Sequence, residues 1–236
     1  MSQYRASIIV PTLNEGDQIL TFLERFEDSV NIPVEILVII DSESDTTLPA
    51  LKRFDSQKFK VTGLVSTLNP GPSNAIKFGI SASSTNILVI IMADGSDDPS
   101  VVEEMVRLID RGCDLVAASR YMPGGQQIGG PRLKRLLSRN ASRLLRAVLG
   151  IGTHDSTNSY KAYSKDFVES VGVESNHGFE LGIELVAKAH RNGKIIAEVP
   201  TIWIDRTVGE SNFKLRKWLP QYLRWFFYAF GPKVDK

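Results

Sequence analysis

Residues 86–99, NILVIIMADGSDDP, decide how this chain is read. An apolar run from Asn86 to Met92 breaks abruptly into three carboxylates, a glycine and a proline. A short continuous run of this kind, bounded by turn residues, fits a strand buried on both faces. Asp98 directly before Pro99 is a helix start: the acid caps, and the proline ring suits the first helical position. The spacing therefore predicts a helix over Pro99–Asp110. Asp94 is left at the carboxyl end of the strand beside Gly95, where it can bind a hard cation, brace a turn or face water. Asp97 has no assigned role.

The same alternation runs outward on both sides. Ala6–Val10, Val34–Ile40 (VEILVII), Lys60–Ser66 and Asp114–Ala118 read as strands. Helical patterns cover Gln18–Phe26, Thr46–Phe54 and Ser73–Ser81. Continuous apolar strands separated by helices predict an α/β fold, a mostly parallel sheet covered on both faces. The second half is less regular. Residues 131–149 form a basic amphipathic helix, with Leu133, Leu136, Leu137, Leu144, Leu145 and Val148 at helical spacing. Ser159–Tyr163 and Lys194–Pro200 are strand candidates and Phe179–His190 a helix. The aromatic tail KWLPQYLRWFFYAFG is a helix kinked or begun at Pro220.

With 236 residues, 42% hydrophobic and 23% charged, the chain has ordinary globular composition. A chain of this size buries roughly 70–75% of its unfolded surface. One domain with an appendage is expected: residues 1–212, then a basic, aromatic tail over 213–236. The net charge of +1 conceals its distribution, since neither Pro131–Gly150 nor Asn212–Pro232 contains an acid. Such clusters point to a polyanion, a phosphate or an anionic membrane surface; no nucleic-acid partner is expected. The single cysteine, Cys113, excludes an intrachain disulfide and suits a reducing compartment. No signal peptide and no apolar stretch of ~20 residues is seen. The expectation is a soluble protein, or one lying on a membrane without crossing it.

In an open parallel sheet, ligands bind outside the carboxyl ends of the strands. Here those ends read VPTLNEG, IIDSESD, VSTLNPGP and IIMADGSDD. Neither G-x-G-x-x-G nor G-x-x-x-x-G-K-[ST] occurs, which argues against a dinucleotide fold and a P-loop nucleotidase. PTLNE at 11–15, Asp41, LNPGPSNAIKFGI at 68–80 and MADGSDDP at 92–99 follow in the order of a family 2 glycosyltransferase of the GT-A fold, which this chain resembles. ASRY at 118–121, Gly124-Gly125, R-x-x-S at 135–138, DSTNSYKAY at 155–163 and DRTVGES at 205–211 narrow the resemblance to the dolichyl-phosphate mannosyltransferase group. It covers about residues 6–215.

The resemblance implies a nucleotide-diphosphate sugar donor, Mg²⁺ or Mn²⁺, and a polyprenyl phosphate acceptor. It sets Pro11, Leu13, Glu15, Asp41 and Asn69 on the nucleotide side. Ala93, Asp94, Ser96, Arg206, Ser211 and Lys214 complete the donor site. Asp94 is the metal carboxylate, Ser96 a further oxygen ligand, and Asp94 and Arg120 the catalytic pair. Arg120, Arg135 and Ser138 would hold the acceptor phosphate, and Asp155 and Asn158 would close the sugar site. Two positions depart from the family pattern. Met92 stands where the first aspartate of D-x-D belongs, and a thioether is a poor ligand for these cations. Metal is therefore expected to bind weakly until the donor supplies oxygens. Asn212 stands where a lysine is usual, with Lys214 as substitute.

A phosphate monoester is largely dianionic at neutral pH, so such a nucleophile needs cations rather than a general base. The expected reaction is inverting transfer of a hexose, first from GDP-mannose and second from UDP-glucose, at the cytoplasmic face of a membrane, with a homo-oligomer admissible. The rivals are transfer to a hydroxyl, which requires a base, and a non-catalytic nucleotide-sugar-binding protein. Glu180 and Glu184 read as caps of their helix or supports at the acceptor end. His154, His177 and His190 lack metal-ligand spacing and read as structural.

Overall fold

The computed structural model describes residues 3–176, 178–205 and 215–234. In chain order its elements begin with β1 (Ala6–Thr12), α1 (Gln18–Ser29), β2 (Val34–Ile40), α2 (Thr47–Leu51), β3 (Lys60–Val65) and α3 (Pro72–Ala82). β4 (Ile87–Ile90), a 3₁₀ turn (Pro99–Val101), α4 (Val102–Asp110), β5 (Leu115–Ser119), β6 (Gln126–Ile128) and α5 (Arg132–Leu149) follow. The chain ends in β7 (Lys161–Ser164), α6 (Lys165–Val171), α7 (Leu181–Arg191), β8 (Ile196–Pro200), β9 (Ile202–Ile204) and α8 (Leu215–Tyr228).

The main sheet has seven strands in the order β3-β2-β1-β4-β7-β5-β8. β7 runs antiparallel to β4 and β5, and the remaining pairs are parallel. β1, β2 and β4 are buried along their whole length. Because successive side chains in a strand point to opposite faces, each strand feeds two cores. Ile8, Val10, Ile36, Val38 and Val89 meet α1 and α4, through Phe22, Phe26, Met105 and Val106. Ile9, Leu37, Ile39, Leu88 and Ile90 meet the opposite layer, through Ile76 of α3, Val186 of α7 and Trp225 of α8. Gly79 permits that layer to close, since a Cβ there would lie 2.5 Å from Ile9.

The α/β expectation holds, with differences of detail. The strand expected over Asn86–Met92 ends at Ile90, so Met92 lies past the ladder, packed against the core of the α3 side. The expected first helical turn at Pro99 is 3₁₀, with α helix from Val102. Pro220 lies inside α8, where it supplies no N–H to the carbonyl four residues back. α8 packs against α7 and buries Trp225 in the core, with Ala229 buried just past its end. The expected division at residue 212 falls outside the described residues. β6 and β9 pair as a small second sheet of parallel strands beside the main one. At both ends of the main sheet polar groups are buried, and only one of these ends carries the candidate chemistry.

Candidate active site

Beyond β4 the backbone turns sharply. The Ser96 N–H donates to Asp94 Oδ1 at 3.0 Å, and Gly95 takes a φ of +72°, a conformation that suits a residue without a Cβ. Arg25 Nη1 donates to the Gly95 carbonyl at 2.8 Å, and Ile204 N–H of β9 donates to the Ser96 carbonyl at 3.0 Å. Asp98 caps the following turn as expected, accepting from Ser100 N–H at 3.0 Å, while its carbonyl accepts from the Tyr160 hydroxyl at 2.9 Å. Asp94 stays partly exposed, and Ser96 and Asp97 are buried. Among the described residues, Ser96 Oγ and Asp97 Oδ1 have no hydrogen-bond partner. The Asp97 carboxyl is pushed up to about 7, by burial first and then by the charge of Asp94; Arg120 and the Met92 N–H, which donates to this carboxylate, pull the other way.

The ends of β1 and β2 sit beside this loop in the sheet. Asp41 accepts from Gly71 N–H at 3.0 Å through Oδ2, while its buried Oδ1 has no partner among the described residues. Burial pushes its carboxyl up, and Asp45 adds to the shift. Pro11 is buried opposite Ile39, Leu13 is half exposed and Asn69 is exposed. Glu15 is fixed by its backbone, whose N–H donates to Thr47 Oγ1 at 3.1 Å. The organising acid here is Asp45, which the sequence reading passed over. It accepts from Asn14 N–H at 2.9 Å and Thr47 N–H at 2.8 Å, and it holds the β1 loop where Asn14 takes a φ of +54°. An aspartate accepting from the N–H two residues on is a local turn signal.

The cationic side is built around one buried ion pair. Arg120 follows β5 and grips Asp155 with two donors, Nε to Oδ2 at 2.7 Å and Nη2 to Oδ1 at 3.0 Å. Burial disfavours the Asp155 charge, but the Arg120 guanidinium outweighs it and holds the carboxyl below the usual range. Arg120 Nη2 also lies 3.3 Å from Ser138 Oγ of α5, which accepts from the Tyr121 hydroxyl at 3.0 Å. Asn158 Nδ2 donates to the Ala118 carbonyl at 3.1 Å. Gly125 lets the chain pass, since a Cβ there would stand 2.3 Å from the Ser119 carbonyl oxygen. Lys161, fully buried on β7, donates to the Asn158 carbonyl and to that of Ser156; burial first pulls its ammonium down to about 7, against the pull of Asp155.

The structure thus brings Arg120 and Ser138 together, places Asp97 within electrostatic reach of Arg120, and places Asp94 within reach of Asp97. Ala93 is buried in the same loop. Arg135 lies one turn before Ser138 on α5, half buried. Arg206, Ser211, Lys214 and His177 lie outside the described residues. One expectation is corrected: Glu180, at the start of α7, makes no side-chain capping bond. Its charge instead acts on Tyr222 of α8, whose phenol is pushed up by burial and by Glu180. Glu184 accepts from the N–H groups of Glu174 and Ser175 at 2.6 and 2.8 Å and pairs with Lys188 at 2.8 Å. His154 pairs with Glu198. No group of three or more His, Cys, Asp or Glu residues suited to a metal exists among the described residues.

A mostly parallel sheet in this strand order, with an acidic loop after its fourth strand, has the GT-A architecture of glycosyltransferases. The chain belongs to glycosyl transferase family 2, whose model matches residues 7–172. It is 29% identical to polyprenol monophosphomannose synthase of Mycolicibacterium smegmatis, over 91% of this chain and 86% of that one. It is 30% identical to undecaprenyl-phosphate mannosyltransferase of Micrococcus luteus, over 88% and 87%. Among solved structures, glucosyl-3-phosphoglycerate synthase of Mycobacterium tuberculosis, determined with Mn²⁺ and UDP, shares the fold at a TM-score of 0.68 and 20% identity, covering 99% of this chain and 82% of that one.

Proposed function

We propose that this glycosyltransferase moves mannose from GDP-mannose to a polyprenyl phosphate, with inversion at the anomeric carbon. The observation that carries the reading is the juxtaposition of an acidic loop holding orphaned oxygens with the cationic Arg120–Ser138 corner, in a chain similar to two polyprenyl-phosphate mannosyltransferases. A phosphate oxygen of the acceptor forms the new bond to C1, and the bond from C1 to the diphosphate breaks. GDP leaves with the electron pair. The acceptor is largely dianionic near neutrality, so no side chain has to remove a proton. Holding it in line is the work of the protein, and Arg120, Arg135 and Ser138 would supply that hold. Asp155 fixes Arg120 in orientation and ionisation.

Asp94 and Ser96 fit a hard cation. The Ser96 hydroxyl is buried with no hydrogen-bond partner among the described residues, two positions from the Asp94 carboxylate. Oxygen ligands of this kind suit Mg²⁺ or Mn²⁺, and the bound cation would neutralise charge on the departing diphosphate. Pro11, Leu13, Glu15, Asp41 and Asn69 would face the nucleoside. Arg206, Ser211 and Lys214 are proposed donor-binding residues on the strength of the resemblance.

The surface supports a membrane-bound acceptor. α5 buries only Ser142 and Leu145 among its described side chains, and exposes Leu133 and Val148 at 59% each with Leu136, Leu137 and Leu144 between them. α8 exposes Leu223 and Phe227. A leucine stripe flanked by arginines lies in a bilayer interface, where each basic residue adds about 1 kcal/mol on an anionic surface. No helix among the described residues is long and apolar enough to cross a membrane. The proposed location is the cytoplasmic face, in keeping with the free thiol of Cys113.

Two experiments test the reading. The protein is given GDP-mannose, UDP-glucose or other nucleotide sugars with Mg²⁺ or Mn²⁺ and a short polyprenyl phosphate. Mannosyl transfer from GDP-mannose, absent without the lipid phosphate, is expected. Transfer to a hydroxyl acceptor with no dependence on lipid phosphate, or no turnover of any donor, overturns the assignment. In flotation with anionic liposomes the protein is expected in the lipid fraction. A protein that stays in the aqueous layer, or pairs with itself through α5, rejects the membrane contact.

A further inference from the structure

Met92 leaves the acidic loop one carboxylate short, and the fold places another there. The Met92 side chain is packed against the core of the α3 side, so its thioether is committed to packing. The backbone then turns back on itself between residues 92 and 97. The Met92 N–H donates to the Asp97 carboxylate, which sets the later side chain beside the backbone of residue 92. Asp97 is 4% exposed, and its Oδ1 is buried without a hydrogen-bond partner among the described residues. A carboxylate oxygen in that state costs free energy unless a cation or donor meets it.

Neither neighbouring cation meets it. Arg120 Nε and Nη2 are directed to Asp155 and Ser138, and the Lys161 ammonium to the carbonyls of Ser156 and Asn158. On the other side stand Asp94, close enough for its charge to act on Asp97, and the equally unpartnered Ser96 hydroxyl. Two carboxylates close enough to feel each other's charge, with an unpartnered hydroxyl between them in the chain, supply oxygens of the kind a hard divalent cation takes.

We infer that Asp97 replaces residue 92 as the second carboxylate of a divalent-cation site shared with Asp94 and Ser96. This rests on the transferase reading and assigns Asp97 a metal-holding role in it. A donor diphosphate and water would complete the shell, since Mg²⁺ ordinarily keeps several waters and substrate phosphate oxygens.

The test reads Mn²⁺ directly. Binding to the full chain is followed by the loss of the free-ion electron paramagnetic resonance signal, with GDP or UDP present, and folding is followed by metal-free melting. Asp97→Asn is expected to weaken Mn²⁺ binding by at least about tenfold, because ligand charge count sets affinity at such sites. Asp98→Asn, altering only the cap, is expected to stay within about twofold of the parent. Met92→Asp combined with Asp97→Asn is expected to regain most of the lost affinity. Parent-like binding by a folded Asp97→Asn protein overturns the inference and leaves the transferase reading standing. A parent protein that takes up no Mn²⁺ with either nucleotide removes both. Should Asp97→Asn fail to fold, Met92→Asp alone decides the matter. With the second place already filled by Asp97 the gain is small, whereas a gain of about a hundredfold shows that place was empty.

Discussion

The two ends of the central sheet bury acids in opposite ways. At the amino end Glu35 sits at the start of β2, and its Oε1 accepts from Ser7 Oγ at 2.6 Å, Ser84 N–H at 2.7 Å and Ser84 Oγ at 2.8 Å. Burial alone would raise that carboxyl; the donors outweigh it and hold it below the ordinary glutamate range. At the carboxyl end the balance reverses. Asp41 and Asp97 each keep a buried oxygen without a partner among the described residues, and burial raises both. An acid that the fold satisfies stabilises the fold. Acids left unsatisfied at the end where a parallel sheet binds ligands keep their oxygens for something that arrives.

Substitutions at the two ends should therefore separate activity from stability. The largest effect belongs to Asp94→Asn. If Asp94 holds the metal as proposed, its removal forfeits several kcal/mol of charge stabilisation, so mannosyl transfer is expected to fall by about a thousandfold. The metal-free melting temperature should stay close to the parent value. A variant that melts much earlier would place Asp94 with Glu35 as a structural acid. Asp155→Ala comes next and erases the contrast, because Asp155 belongs to both kinds. It leaves the Arg120 guanidinium buried without its partner, and breaking a buried pair in this way costs about 3–5 kcal/mol. Urea unfolding should show that loss, with transfer failing in parallel as Arg120 turns from Ser138.

The contrast was only partly legible in the sequence, for physical reasons. Asp94 and Asp98 could be read because their signals are local: a strand that stops at an acid and a glycine, and an acid before a proline. Asp45 carried a comparable turn signal in DSESDTT. The Arg120–Asp155 pair could not be read from spacing, since the residues lie 35 positions apart and meet only once β5 and the segment before β7 converge. Lys161 sits in a short strand of alternating pattern, where nothing local marks it as buried; its burial follows from β7 lying between β4 and β5. β6 and β9 have three residues each, too few to show a period, and owe their form to pairing with one another. α6 had usable signals, the Ser164 side chain capping Phe167 N–H and Gly172 ending the helix, and was overlooked because it follows β7 without a break.

Glu35 gives the smallest effect, and the pH dependence that sharpens the comparison most. Its folded pKa lies below its unfolded one, so the stability it contributes is complete above the ordinary glutamate value, about 4.3. That contribution is lost as pH falls through the lower folded value. Glu35→Ala removes an acceptor of several donors and is expected to cost about 2–3 kcal/mol near neutrality, with kcat and KM for the donor unchanged. The difference in unfolding free energy between parent and variant should shrink as pH drops below about 4.3, because protonation removes from the parent what the substitution removes from the variant. Denaturant midpoints measured from pH 7 to pH 3 would follow it. A difference that stays constant over that range would mean Glu35 acts by packing rather than by charge, and the two ends of the sheet would then differ in exposure to ligand but not in how they treat an acid.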